Sequence, residues 1–429
     1  MRRRPGRPDG GPVAGFTRAG AVATVLALFA MSGCVSYDVA PQEPEARAVG
    51  AAPLLDPDEL YLSQRLATMD LRAKLASQIM IHVPGTDPTR IRTVVEQHGF
   101  GGVILMGNNV GGSVDNVARL TSALHADSGL PILTAIDQEG GIVRRLPGDG
   151  GPAGRSLWAS PPAATENAFR DRGALVARAG VLINFGVVAD VTADRSSFIS
   201  ARVLGETPAA SAERVAAAVR GERGESLSTL KHFPGHGASP GDSHVSVPRS
   251  GISLDEWRET HAVPFAAGIE AGAPLVMTGH LQFDRISPVP ATLSAEWITI
   301  LRDELGFEGV IVTDDMLMLQ RSGVSEYADP RRNAVRALAA GNDLLLYVLP
   351  ADPSTVGIDL GDLVDALVLA VEEGTVSETA VDESVRRLLA LRRAASGERG
   401  PLVDCGPKCW GESPRGVRLR EVAEVATEQ

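Results

Sequence analysis

The stretch GVIVTDD, residues 309–315, is a short run of β-branched apolar side chains that stops on two carboxylates. A run this short and this uniformly apolar suits a strand buried on both faces, as in a parallel sheet covered by helices. Seven other runs have the same character: QIMIHV (78–83), GGVILM (101–106), PILTAID (131–137), VLINFGV (181–187), LSTLKHF (227–233), PLVMTGH (274–280) and DLLLYV (343–348). Helix-like segments separate them, at 88–99, 113–129, 208–224 and 253–272. Ser113 and Ser253 are placed to cap helix N-termini, and Gly99, Gly129 and Gly272 to end helices. Eight strands alternating with helices over residues 59–396 predict an α/β fold, a single (β/α)8 TIM-type barrel. A doubly wound open sheet is the alternative on pattern alone. A barrel places its chemistry at the C-terminal ends of the strands. Asp137 ends the third run, Lys231 and His232 the fifth, His280 the sixth, and Asp314 and Asp315 the seventh.

What flanks the barrel points to export. Arg2, Arg3, Arg4 and Arg7 precede the apolar core AVATVLALFAM (21–31), which is too short for an ordinary membrane span. MSGC then runs into Cys34 and resembles the lipobox of a bacterial lipoprotein, with Met31 where leucine is usual. The expectation is a signal peptide over 1–33, a lipid anchor on Cys34 and a tether rich in Pro, Ala and acidic residues over 34–58. The protein would then sit at the outer face of the cytoplasmic membrane, in the cell envelope. A secreted protein cleaved elsewhere, or an uncleaved anchor, would share the same N-terminus. In the tail, 397–429, Cys405 and Cys409 flank GPK, and outside the cytosol they most simply form one small disulfide loop. A formal charge of −12 and only 4% aromatic residues argue against a nucleic-acid partner, which needs basic surface and stacking platforms.

KHFPGHGASPGDSH (231–244) holds three of the eight histidines, His232, His236 and His244. A zinc site of the His-x-x-x-His kind needs a helix, and Pro234 and Gly235 lie between the first two histidines. No metal is expected. Ser243 between Asp242 and His244 lacks a Gly-x-Ser-x-Gly elbow, so a serine nucleophile is not favoured. A glycosidase pair fits better. Asp314 at a strand end could serve as nucleophile, and His244, oriented and charged by Asp242, could be the proton donor.

The same stretch resembles the loop signature of the β-N-acetylglucosaminidase branch of glycoside hydrolase family 3. AIDQEGGIVRRL (135–146), RVLGETP (202–208) and PATLSAEWITILRDELGFEGVIVTDDM (290–316) resemble that branch in the same order. The likeness spans roughly residues 70–350. It implies that Asp314 is the nucleophile, His244 the acid/base and Asp242 its partner. It further implies that Lys231 and His232 hold sugar hydroxyls, that Asp137 binds distal hydroxyls of the same sugar, and that Arg145 and Arg202 line that subsite. The segment 190–208 departs from the family, which usually has more Pro and Asn there, and leaves Arg195 as a rival to Arg202. Asp315 is expected to be structural, His236 to brace its turn, and His280 to support the site or simply end its strand. His82, His98, His125 and His261 carry no signal of their own.

The function expected is a retaining exo-β-N-acetylglucosaminidase, acting as a monomer without cofactor on GlcNAc-containing cell-wall fragments. A β-N-acetylglucosaminide phosphorylase using the same site is the alternative, since a histidine donor does not repel phosphate as a carboxylate would. A non-catalytic sugar-binding lipoprotein is a third reading.

Overall fold

The computed structural model describes residues 56–124 and 130–397. The expected signal peptide, Cys34, Gly129, His125, Cys405 and Cys409 lie outside them, as does nearly all of the tether. All eight apolar runs form strands: β1 Ile79–Ile81, β2 Gly102–Leu105, β3 Leu133–Ile136, β4 Ile183–Val188, β5 Leu227–Phe233, β6 Leu275–Thr278, β7 Val310–Thr313 and β8 Leu345–Tyr347. They form one parallel sheet in the order β8-β1-β2-β3-β4-β5-β6-β7. The two edges meet through a parallel bridge between Val312 and Leu344, with the Thr313 N–H donating to the Leu344 carbonyl at 2.9 Å. The ring therefore closes as a barrel, and the open-sheet alternative falls away.

The strand runs look uniformly apolar, yet they carry a hidden alternation. Met80, Ile104, Ala135, Phe185, Leu227, Met277, Val312 and Leu346, one from each strand, belong to one hydrophobic cluster. Only the barrel interior can collect a residue from all eight strands. The neighbours Ile81, Val103, Ile136, Val276, Ile311 and Leu345 instead pack outward against helices. Because side chains alternate with period two, the inner parity continues past the strand ends. Leu133 and Ala135 lead to Asp137 and Glu139, and Val310 and Val312 lead to Asp314. The alternation that fills the core also aims these carboxylates into the mouth.

Two features depart from the expected helix pattern. The helix expected over 253–272 is two helices, Leu254–Glu259 and Ala262–Glu270, with Thr260 at φ −123°, ψ −80° between them. Pro264 explains the break: its ring excludes a helical carbonyl four residues earlier, at Thr260. The last helix, Glu378–Ser396, sends Leu388, Leu391 and Ala395 into the barrel-interior cluster. Its Arg387 binds Asp343 at 3.0 Å, and its Arg392 donates to the Leu130 and Pro131 carbonyls, all at the N-terminal ends of strands. This helix plugs the bottom of the barrel and leaves the opposite mouth open. At the N-terminal side, the helix Pro57–Ala67 begins within the stretch expected as tether. No helix among the described residues is long and apolar enough to cross a membrane.

Candidate active site

Lys231 ends β5 on the inner parity, and its ammonium is buried between two carboxylates. Its Nζ lies 3.0 Å from Asp137 Oδ1 and 2.7 Å from Glu139 Oε1. Burial pulls the lysine down, but the two carboxylates outweigh it and raise its pKa. Glu139 also receives the Arg202 guanidinium through two bonds, Nη2 to Oε1 at 2.7 Å and Nε to Oε2 at 2.9 Å. Burial alone would raise this carboxyl, yet Arg202 and Lys231 carry it down to about 2. Arg145 Nη2 reaches Asp137 Oδ2 at 3.2 Å, whereas the adjacent Arg144 turns away to the Asp149 carbonyl. Arg202 Nη2 approaches His232 Nε2 at 3.3 Å, and His232 Nδ1–H donates to Asp190 Oδ2 at 2.7 Å. The result is a closed lattice of acids and cations in which every charge has a partner, a set suited to hydroxyl groups.

Buried amides fix the loop that carries Asp137, Glu139 and Arg145. Gln138 Oε1 accepts the N–H groups of Arg145 and Leu146, both at 2.9 Å. Asn184 of β4 grips the Gln138 backbone on both sides, accepting its N–H and donating to its carbonyl at 3.0 Å each. Gly186 is required beside it, because a Cβ there would fall 2.3 Å from Asn184 Nδ2. On the outside of β5, Phe233 meets Trp257, Phe265 and Trp297 edge-on at 5.3–5.9 Å. Aromatic pairs of this kind are worth about 1 kcal/mol each beyond their burial, so they anchor the strand end bearing Lys231 and His232.

Asp314 is partly exposed at the end of β7. Its Oδ1 accepts the Asp315 N–H at 2.8 Å. Burial pushes its carboxyl up, but the imidazoles of His232 and His280, that N–H and Lys231 together hold it below the ordinary range. It is an ionised carboxylate. Asp315 has the opposite parity and holds backbone instead, its Oδ1 accepting the Leu317 and Val348 N–H groups at 3.1 and 2.9 Å. Burial raises it to about 7. His280 is buried and donates through Nε2 to the Asp315 carbonyl at 2.9 Å, so it supports the turn that carries Asp314.

The three histidines of 231–244 have distinct surroundings. His236 is buried, its Nε2 lies 2.9 Å from Ser243 Oγ, and burial lowers it to about 4. His244 is exposed, with Nδ1 2.6 Å from Asp242 Oδ1, which also accepts the His244 backbone N–H at 3.0 Å. Arg195 is solvent-exposed near Glu206 at 3.7 Å, so Arg202 is the arginine that enters the mouth. The structure thus brings Asp137, Arg145, Arg202, Lys231, His232 and Asp314 to one end of the barrel, and leaves His244 with Asp242 on an open loop beside it. Among the described residues, no group of three His, Cys, Asp or Glu side chains is placed to hold a metal ion.

Two residues that sequence reasoning passed over prove central. Glu139 couples Lys231 to Arg202, and Asp190 orients His232. The first had a signal: it stands two residues after Asp137 and shares its parity. Asp190 lies two residues beyond β4, just past the fourth apolar run, at a strand-end position like the others.

The sequence matches the family described as "Glycosyl hydrolase family 3 N terminal domain" over residues 70–391. It is 32% identical over 343 residues to an uncharacterized secreted glycosyl hydrolase of Arthroderma benhamiae, covering 76% of this chain and 95% of that one. It is 34% identical over 343 residues to a β-hexosaminidase of Stenotrophomonas maltophilia, covering 76% and 94%. Among solved structures, a glycoside hydrolase family 3 β-N-acetylglucosaminidase from Paenibacillus sp. aligns at TM-score 0.70 and 30% identity, over 82% of this chain and 68% of that one. A β-N-acetylhexosaminidase from Beutenbergia cavernae aligns at TM-score 0.66 and 28% identity, over 76% and 98%.

Proposed function

The chain belongs to glycosyl hydrolase family 3 and is a glycoside hydrolase, and from that premise we propose that it is a retaining exo-β-N-acetylglucosaminidase acting on GlcNAc-containing cell-wall fragments. The observation that carries this reading is Asp314, an ionised carboxylate aimed into a mouth already furnished with hydroxyl-binding charges. In the first step an Asp314 carboxylate oxygen bonds to the anomeric carbon as the glycosidic C–O bond breaks. His244, charged and held by Asp242, gives its proton to the departing oxygen. In the second step neutral His244 takes a proton from water, whose oxygen displaces Asp314 from the sugar. The lattice of Asp137, Arg145, Arg202, Lys231 and His232 supplies the terminal-sugar pocket that exo-cleavage requires. The β-hexosaminidase relatives and the secreted relative support the substrate class and export. An anchor on Cys34 would place the activity at the envelope.

A second reading uses the same groups. His244 is an imidazole where many glycosidases have a carboxylate, so a phosphate dianion could approach the glycosyl-Asp314 intermediate and release GlcNAc-1-phosphate. Digestion of defined cell-wall fragments, with and without phosphate and with mass detection, separates free GlcNAc from its phosphate. Asp314→Ala should lower turnover of a chromogenic β-GlcNAc glycoside by roughly four orders of magnitude. Near-native turnover, or binding of the fragments by the native protein without cleavage, would sink the assignment.

A further inference from the structure

The dyad of His244 and Asp242 is locally tight but poorly tied to the barrel. Both of its hydrogen bonds run between residues two apart, so they orient the imidazole relative to Asp242 and not relative to Asp314. Ser246 adds a bond to the Asp242 carbonyl at 2.8 Å, again within the loop. The residue between the two partners behaves differently. Ser243 is 3% exposed, while the His244 and Asp242 side chains are 62% and 43% exposed. The chain therefore turns Ser243 inward, with the dyad facing out on either side.

Inward, Ser243 Oγ meets His236 Nε2 at 2.9 Å. His236 is firmly held. Its backbone N–H donates to Asp190 Oδ1, and the same carboxylate orients His232 at the strand end. Its ring stands edge-on to Phe198 at 4.5 Å and to His232 at 5.9 Å. The next residue, Gly237, lies so close to Val191 that a Cβ would fall 2.0 Å from its carbonyl oxygen. Phe198 also meets the His244 ring edge-on at 6.3 Å. A continuous path runs from the sugar-binding lattice through Asp190, His236 and Ser243 to the proton donor.

Resting on the reading of His244 as acid/base, we propose that Ser243, through its hydrogen bond to buried His236, is a positioning residue that sets where the His244–Asp242 dyad stands relative to the glycosidic oxygen. Burial lowers His236 to about 4, so near neutral pH it is an uncharged partner that does not compete with His244 for the proton. A displacement of about 1 Å in a catalytic group costs on the order of 100-fold in rate. Losing the Ser243 bond should therefore damage proton donation while leaving the sugar lattice in place.

The test compares two substrates: a GlcNAc disaccharide, whose leaving sugar needs protonation, and an aryl β-GlcNAc glycoside with an acidic phenol, which needs little. Ser243→Ala should lower kcat/KM, which reports formation of the glycosyl-enzyme, by about 10- to 100-fold on the disaccharide and by several-fold less on the aryl glycoside. His236→Phe keeps the ring and its contact with Phe198 but removes the bond, and should reproduce the split. Ser243→Thr keeps the hydroxyl and should recover most of the disaccharide rate. Equal losses on both substrates in Ser243→Ala and His236→Phe, or no loss in either, overturn the inference. Asp314→Ala measured alongside keeps the two ideas apart: full activity there overturns the glycosidase assignment itself, whatever Ser243 does.

Discussion

The two sides of the mouth are built on opposite principles. The side proposed to hold the sugar is a lattice in which Asp137, Glu139, Lys231, Arg202, His232 and Asp190 satisfy one another, with no side chain more than 17% exposed. The side proposed to donate the proton is an exposed pair on a loop that has only one short 3-10 turn, His236–Ala238. The first side stands on strand ends and on loops pinned to them by buried hydrogen bonds, where preorganised charges need no rearrangement to bind. The second stands on a loop tied inward through Ser243, and its exposure leaves room for the water that the proposed second step requires. On the proposed mechanism, binding precision and proton transfer thus fall to a buried lattice and an exposed pair.

The comparison breaks first at Lys231. Lys231→Met keeps most of the volume but leaves Asp137 and Glu139 facing each other without their shared cation. Removing one partner from a buried charge network destabilises a fold by about 3–5 kcal/mol, and losing a charged contact worth about 2–5 kcal/mol in binding should lower kcat/KM by roughly two to four orders of magnitude. Because the loss lies in sugar binding, it should be the same for disaccharide and aryl glycosides. A loss that depends on the leaving group would mean that the lattice also governs proton transfer. His244→Ala should show the complementary pattern. General acid catalysis contributes about 10²- to 10⁴-fold, so kcat/KM should fall on that scale for the disaccharide and far less for an activated aryl glycoside. Equal losses would show that His244 has another role and would remove the contrast between the two sides.

The barrel was legible because each strand is buried on both faces, and every strand in the ring left its own apolar run in the sequence. Asp137, Lys231 and Asp314 were legible because polar side chains ending such runs stand out. Glu139 and Asp190 left only positional hints, since their roles arise only when residues 139, 202 and 231, or 190, 232 and 236, meet in space. The His loop was visible as a motif, and its division into clamp, brace and donor came with the family resemblance, because the burial that sets the histidines apart is not encoded in spacing. The break at Thr260 was readable from Pro264, whereas the plugging of the barrel bottom by Glu378–Ser396 was not. An amphipathic helix carries no mark of whether it lies on a barrel's side or across its end.

The finest contrast lies within the lattice and its rear wall, where two buried glutamates shift in opposite directions. Glu139 falls from its ordinary 4.5 to about 2, because two cations outweigh its burial. Glu222, behind the same loop, rises from 4.5 to about 8, since burial dominates and its bonded neighbour is the neutral Asn184 amide, with Arg172 only a minor counterweight. The signs follow from linkage. Glu139 contributes stability that is complete above pH 4.5 and is lost as the pH falls toward 2. Glu222 is protonated in the folded protein and ionised in the unfolded chain between pH 4.5 and 8, so it withdraws stability as the pH rises through that window. Each slope integrates to a few kcal/mol. Urea unfolding across pH should therefore show Glu139→Gln losing less stability than the native protein below about pH 4.5. Glu222→Gln, which keeps an acceptor for Asn184, should gain on the native protein from about pH 5 to pH 8. If Glu222→Gln shows no such gain, the rear wall admits enough water to ionise a carboxylate. The loop bearing Asp137 and Glu139 would then be held by its amide bonds to Gln138 and Asn184 rather than by a dry wall behind them.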